Sequence, residues 1–409
     1  MNTRSLVTKS LWACCLTTLL GWTAASAADL VVWHAYRGAE RAAFEKVVSN
    51  FNASQGDIKV KTLPVPYDAY ADKITAAIPR GRGPDVFIFA QDRLGGWVEG
   101  GQTVESIDFY LEDGTVDALL PGLMEAMSYR DTVYGLPIAY KSPALVYNKA
   151  MIETPPTTTT ELVTMAKKFT AAAGGRYGLV YEYSNFYFHS ALMNAFGGRV
   201  FDPEGPTPTL DDPRIVASIN LMMKWFREDG IVPADPSSTL VTALFNDGKT
   251  PMVFNGPWFI SEVEGVDVGV AAMPTVEEAG GEPMKPWLTV EGIYVSAQSD
   301  HKEAAYEFAR YVATDDESAF IRAVEGRQLP SHAGVYERPE VAGDPILSGF
   351  RAQYNNSVPM PNYAEMTLMW SPVTTAMNKI TKGAASPEAG LGAAQKELEA
   401  SIAALRTGR

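Results

Sequence analysis

Three short stretches of the chain set an aromatic ring beside a charged or amide side chain: Phe89-Ala90-Gln91-Asp92-Arg93, Tyr183-Ser184-Asn185-Phe186-Tyr187, and Tyr363 to Trp370. A fourth, Phe245 to Trp258, brings Trp258 directly after the turn Asn255-Gly256-Pro257. This combination suits holding a ligand more than breaking a bond. The ring is a flat apolar platform and its neighbour a hydrogen-bonding group, which matches a ligand with one apolar and one wet face, such as a pyranose ring. Each stretch is also readable as an aromatic lid on a core, and Trp258 as an ordinary core residue. Their recurrence favours a binding surface.

Other chemistry is poorly represented. There is no Gly-x-Ser-x-Gly elbow, phosphate loop or His-Glu-x-x-His pattern, and Gly81-Arg82-Gly83 is a turn signal only. The four histidines, at positions 34, 189, 301 and 332, are too scattered to suggest a metal cluster. Both cysteines, Cys14 and Cys15, fall near the amino terminus, which removes disulfides, zinc thiolates and cysteine nucleophiles from the rest of the chain. No metal and no cofactor is expected. An acidic chain always supplies carboxylate pairs, so a secreted glycoside-cleaving enzyme pairing Asp92 with a second carboxylate stays open. So does a two-lobed binder of an anion, polyamine or metal, although anion sites usually collect basic groups and helix amino termini.

Arg4 and Lys9 precede an apolar run from Leu11 to Trp22, and Ala25-Ser26-Ala27 is a small-residue cleavage pattern. Residues 1–27 therefore read as a cleaved secretory signal peptide with the mature chain starting at Ala28; lipoprotein cleavage before Cys14 is the alternative. The run is shorter than the roughly 20 apolar residues of a membrane span. Removing the leader takes away two positive charges and no negative one, so the formal net charge goes from −14 to −16. Such a surface repels phosphate backbones and anionic lipid, which argues against nucleic acid as a partner.

The elements that would position these residues follow from periodicity. Leu30 to Trp33 reads as a strand; Phe44, Val47, Val48 and Phe51 as a helix face; Ile58 to Leu63 as an alternating strand; Tyr70, Ile74 and Ala77 as a helix; and Val86 to Phe89 as a buried strand. This alternation predicts a mostly parallel sheet flanked by helices. Leu136 to Tyr147 is extended around Lys141-Ser142-Pro143 and suits a crossing to a second α/β set. In that set Leu162 to Phe169 reads as a helix, Tyr177 to Tyr181 as a strand, Asp212-Pro213 as the start of a long helix, and Val268 to Met273 as a strand. Trp287 to Val295 could return the chain to the first set. A helix capped by Asp300 runs to Thr314, and Ser386 to Leu405 is a final amphipathic helix. Phe245 to Trp258 predicts a helix end at Gly248, a strand Met252 to Phe254, and a new helix opened by Pro257, which would put Trp258 at the carboxyl end of a strand, where open α/β sheets hold ligands.

With these blocks in view the sequence resembles the extracellular solute-binding proteins of carbohydrate ABC transporters, most closely the maltose/maltodextrin-binding group. The likeness is carried, in order, by Leu30-Val31-Val32-Trp33; Gly83-Pro84-Asp85 through Asp92-Arg93-Leu94-Gly95-Gly96; Pro137-Ile138-Ala139 with Tyr147-Asn148-Lys149; Phe245-Asn246 with Gly248; and Asn255-Gly256-Pro257-Trp258. The resemblance implies an α/β fold of two lobes, the type II periplasmic-binding-protein fold, joined by hinge strands. Residues 28–140 and 291–329 would form the amino-terminal lobe, and 141–290 and 330–409 the carboxy-terminal lobe. It further implies a monomeric, non-enzymatic periplasmic receptor that closes over a di- or oligosaccharide and delivers it to a membrane ABC permease.

By matched position the resemblance makes Asp92 and Arg93 readers of sugar hydroxyls, with Phe89 a neighbouring aromatic, and Tyr187, Trp258 and Trp370 stacking platforms. Four departures mark this chain. Lys141 and Asn185 stand where acidic ligand contacts are expected, Thr374 replaces a late arginine, and Ala35-Tyr36-Arg37 lacks an Asp-Lys pair, which makes Tyr36 and Arg37 candidates for a different set of contacts. The platforms stay while the hydroxyl readers change, which keeps an oligosaccharide and leaves its identity open.

Overall fold

The computed structural model describes residues 28–112 and 114–407. The leader read over residues 1–27, with Cys14 and Cys15, lies outside them. Among the described residues no helix is long and apolar enough to cross a membrane, and no group of three or more His, Cys, Asp or Glu side chains could hold a metal ion.

The chain first builds a large sheet. β1 (Ala28–His34), α1 (Gly38–Ser54), β2 (Ile58–Pro64), α2 (Tyr67–Ala77) and β3 (Val86–Ala90) alternate, and β1 pairs in parallel with both β2 and β3. After α3 (Leu94–Gly100) comes β4 (Gly135–Lys141). Only Ser142 and Pro143 separate it from β5 (Ala144–Asn148), which belongs to a second sheet. Helices α4 (Thr159–Phe169), α5 (Phe186–Ala195), α6 (Pro213–Arg227) and α7 (Ser238–Asn246) follow. β6 (Met252–Asn255) and β7 (Val268–Ala271) then flank β5. β8 (Trp287–Val295) returns to the large sheet between β3 and β4, antiparallel to both. α8 (Lys302–Thr314), α9 (Asp316–Val324), β9 (Leu329–Pro330), α10 (Pro345–Tyr354), β10 (Val358–Pro359), α11 (Met366–Thr381) and α12 (Pro387–Thr407) complete the chain. The large sheet runs in the order β9-β4-β8-β3-β1-β2, with β10 beside the start of β8.

Both faces of the large sheet are covered, which is why its strands are apolar nearly throughout. Leu30, Val32 and Ile88 pack with Phe44, Val47 and Phe51 of α1 and Phe308 and Val312 of α8. On the other face Phe87 lies between Trp97 and Tyr294, ring centroids 5.2 Å from each. The second sheet is buried under α5, α6, α11 and α12 through Met193, Ile219, Trp225, Met377 and Leu398.

Four expectations need correcting. Parallel pairing is confined to β1, β2 and β3 and to the short contact of β8 with β10; β8 is antiparallel to β3 and β4, and the second sheet is antiparallel throughout. β5 joins a different sheet from β4, and its direction is set by β6 and β7, strands that come much later in the chain, so the alternation of the first half does not extend to it. Tyr177 to Tyr181 is not a strand, since a lone bridge from Val180 to Val253 is its only ladder contact with β6. Asp300 caps nothing: α8 begins at Lys302, and Ser299 closes the preceding turn by accepting from His301 N (3.1 Å) while donating to Asp85 Oδ1 (2.6 Å). Finally, Pro257 opens a 3-10 helix, Pro257–Glu262, in place of an α-helix.

Candidate functional site

A cleft of ≈ 600 Å³ opens between the carboxyl end of β3 and the carboxyl end of β6, and all ten side chains singled out in the sequence line it. Four elements bring the charged ones there. β3 ends at Ala90 and passes into a single 3-10 turn, Gln91–Arg93. Gln91, fully buried, anchors that turn: its amide donates to Leu288 O and Met360 O (3.2 Å each) and accepts from Val290 N (2.8 Å). With Gln91 pinned inward, Asp92 and Arg93 face the cleft. Asp92 is only 7% exposed, and that burial pushes its carboxyl up from 3.8 to about 6. The opposing pull of the Arg93 guanidinium, whose Nε lies 3.5 Å from Oδ2, and of the Asp92 backbone N–H does not offset it. Arg93 Nε is buried and has no hydrogen-bond partner among the described residues.

The aromatic wall comes mainly from the second sheet and its helices. At the end of β6, Asn255 Oδ1 accepts from Gly256 N (2.9 Å), and the 3-10 helix turns the indole of Trp258 back over Gly256. A Cβ on Gly256 would fall 2.1 Å from the Trp258 ring, so this approach requires glycine. Trp258 is half-buried, with its ring centroid 6.2 Å from Tyr187 and 6.5 Å from Phe188. Tyr187, in the first turn of α5, shares a 3.2 Å hydrogen bond with Thr289 of β8, and burial pushes its hydroxyl up to about 12. Asn185 is the N-cap of α5: its Oδ1 accepts from Tyr187 N (3.1 Å), which gives this residue a local structural role as well as a place on the cleft rim. Trp370 stands edge-on to Trp287 at 5.8 Å. Phe89 is buried, and the ring that covers it is Tyr67, stacked nearly parallel at 5.8 Å and 60% exposed.

A charge cluster closes one end. Lys141, the last residue of β4, lies 3.4 Å from both Glu40 Oε1 on α1 and Glu291 Oε1 on β8. Tyr36 is buried and donates to Glu291 Oε2 (2.8 Å). Burial alone would lower the Lys141 pKa, but the carboxylates of Glu291 and Glu40 more than offset it and hold the ammonium above its usual range. Arg37 is exposed at the rim, and Thr374 does not line the cleft.

Residues 37–319 match the family model of the bacterial extracellular solute-binding protein. The chain belongs to that family. Solute-binding relatives include the maltotriose-binding protein of Pyrococcus abyssi, 32% identical over 86% of this chain and 77% of the relative. The galactooligosaccharide-binding protein of Bacillus subtilis is 26% identical over 93% of this chain and 91% of its own length. Among solved structures, a cyclo/maltodextrin-binding protein complexed with maltotetraose superposes with a TM-score of 0.82 at 30% identity, covering 91% of this chain and 97% of the other. The maltose/maltodextrin-binding domain from Bdellovibrio bacteriovorus bound to maltotriose gives 0.81 at 25% identity, covering 91% and 99%. The solute-binding fold of this chain is accordingly the two-lobed α/β one, and the cleft lies between its two sheets.

The cleft residues of this solute-binding protein that escaped the sequence reading include Tyr67, Glu40 and Glu291. Tyr67 follows Pro66 just past the end of β2, so the rule that picked out the other aromatics, a ring at a strand end, would have found it. Glu291 sits in mid-strand and Glu40 in the first turn of a helix, where a carboxylate ordinarily faces water or favours the helix dipole. Nothing in the linear pattern sets either apart.

Proposed function

We propose that this protein is a periplasmic receptor that captures a maltodextrin-type α-glucan between its lobes and delivers it to an ABC permease. The observation that carries the reading is the single cleft in which the hydroxyl-reading pair Asp92 and Arg93, at a strand end of one sheet, is joined by the aromatic face of Trp258, at a strand end of the other. Relatives named for maltotriose and maltodextrin, and structures that hold maltotetraose and maltotriose, support the sugar class.

In this reading residues 28–140 and 291–329 form one lobe and 141–290 and 330–409 the other. The strands on either side of Ser142-Pro143 and the start of β8 are the hinge. Asp92 and Arg93 accept and donate to hydroxyls while Tyr187, Trp258, Trp370 and Tyr67 cover apolar ring faces. A ligand that touches both lobes stabilises the closed arrangement by the contacts it makes only there. A micromolar dissociation constant requires about 8 kcal/mol, within reach of two charged contacts at about 1.5–3 kcal/mol each plus buried ring faces. The mature monomer, released by signal-peptide cleavage after Ala27, is a binder and not an enzyme. Two of the cleft carboxylates, Glu40 and Glu291, are tied to Lys141, which supports a static role.

Isothermal titration of residues 28–409 with maltose, maltotriose, longer maltodextrins, galactooligosaccharide and sucrose tests the proposal. Micromolar or tighter binding of α-glucans, with the sugar recovered intact after days, is expected. Binding of none of them, or their steady hydrolysis, overturns it.

A further inference from the structure

The charge cluster at the end of β4 assigns a specificity role that the sugar-receptor reading, on which it rests, leaves unused. A lysine where an acidic ligand contact is expected would ordinarily suggest an anionic ligand. Three observations oppose that. The Lys141 ammonium is already shared between Glu40 and Glu291, 3.4 Å from an oxygen of each. The charged side chains that line the cleft are four carboxylates against three cations, a field that does not favour an anion. And Glu291 is itself held from two sides, by Tyr36 on Oε2 at 2.8 Å and by Lys141 on Oε1. A carboxylate has about four acceptor positions, so two remain on a side chain that is 15% exposed and faces the cleft.

The strand register explains the aim. Thr289 pairs with Lys141, and Glu291, two residues on, shares its face of β8; a bulge between Glu291 and Gly292 interrupts the ladder there. Thr289 and Glu291 thus present a hydroxyl and a carboxylate side by side from a strand paired on both edges, a rigid mount for ligand contacts.

We propose that Glu291 supplies the hydroxyl-accepting carboxylate for a neutral sugar unit at this end of the cleft, and that Lys141 is its positioning counter-ion and not a reader of acidic sugars. The carboxylate comes from the strand adjoining β4 and is held at the cleft by the lysine beside it.

Titration calorimetry on residues 28–409 tests this with maltotriose as the neutral probe and maltotriose oxidised to carry a terminal uronate as the anionic one. If the unaltered protein binds neither, the receptor reading has failed before any variant is made. Given maltotriose binding, Glu291→Gln is expected to weaken it at least tenfold with an unchanged melting profile. Lys141→Met should weaken it at least threefold alone and less than twofold when combined with E291Q, because it acts through Glu291, and Lys141→Arg should restore it. The uronate should bind the unaltered protein at least tenfold more weakly than maltotriose. Preference of the unaltered protein for the uronate, lost in K141M, overturns the assignment. So does an E291Q affinity within threefold of the unaltered protein, or equal cost of K141M in both backgrounds.

Discussion

Replacing Asp92 by Asn should make the free protein more stable and a worse receptor. The carboxyl is buried and its pKa is raised from 3.8 to about 6. A shift of that size is a penalty of roughly 3 kcal/mol on the ionised form in the folded state. Because the folded pKa is the higher one, the folded state binds more protons than the unfolded between those values, and stability falls as pH rises through that window. Below about pH 3 the penalty is absent; above about pH 7 it is complete. Asn carries no charge at any pH and keeps an oxygen that can accept from the residue 92 backbone N–H. D92N should therefore melt higher than the unaltered protein at pH 7.5, by on the order of 5 °C at about 2 °C per kcal/mol for a chain of this size. The gap should shrink to about a third at pH 4.5.

Sugar affinity should move the other way. Hydroxyl donors bond an ionised carboxylate more strongly than an amide, so D92N should lose about tenfold to a hundredfold in affinity. The affinity of the unaltered protein should rise from pH 5 to pH 7 as Asp92 ionises, while that of D92N stays flat. Scanning calorimetry without ligand at the two pH values, followed by titration with maltotriose, measures both. If D92N melts lower than the unaltered protein at pH 7.5, or if the gap is the same at both pH values, then Asp92 is not an under-compensated buried charge and the reasoning is wrong.

Three other substitutions separate binding from folding. Trp258→Ala should cut sugar affinity at least tenfold while moving the melting temperature of the free protein by far less than the about 3–5 kcal/mol that truncating a core tryptophan costs; a large stability loss with unaltered affinity would make Trp258 a core residue. Gly256→Ala places a methyl group where the Trp258 ring lies, so it should change tryptophan fluorescence and weaken binding together, at a stability cost of about 1–3 kcal/mol. Unaltered fluorescence and affinity would show that the ring does not depend on this approach. Gln91→Leu should strip Val290 N–H of its buried acceptor and destabilise the protein by about 1–3 kcal/mol, measured by urea denaturation. It should also weaken sugar binding by releasing the turn that carries Asp92 and Arg93; intact affinity would mean that the turn is held by other contacts.

The alternating half of the fold was legible because its signals are local. β1 to β3 and the helices between them announce themselves by period, and farther along the chain Asp212 caps the long helix read from Asp212-Pro213. What was misread depended on partners distant in sequence. Asp300 looks like a cap, but the turn before α8 is closed by Ser299 because its hydroxyl reaches Asp85, a residue on the approach to β3. Tyr177 to Tyr181 is apolar enough for a strand, yet it meets β6 at Val180 alone. The direction of β5 is set by its pairing with β6 and β7, strands far along the chain, which no window of residues contains.

The same division runs through the cleft, and it explains what its composition can discriminate. Phe89 and Trp258 could be picked out because each sits at a strand end, where the backbone leaves its ladder and side chains are free to face a ligand, and Asn185, Tyr187 and Trp370 because each stands in a stretch that sets rings beside polar groups. Glu291 could not, because the role proposed for it depends on Lys141 standing beside it, and that neighbourhood is a matter of register between β4 and β8. Stacking platforms bind any ring with an apolar face, so the residues easiest to find are the least selective. Discrimination among sugars falls to buried hydrogen-bonding groups that the wrong ligand leaves unpaired. In the proposed reading those groups are Asp92, whose turn Gln91 ties to backbone groups of Leu288, Val290 and Met360, and Glu291, which is held by Tyr36 and Lys141. Specificity here is therefore a property of the large sheet's register as much as of any residue that touches the ligand. A substitution at Gln91 or Lys141, which need not contact the sugar, should then reorder sugar preference more than one at Trp258, which should weaken all sugars alike.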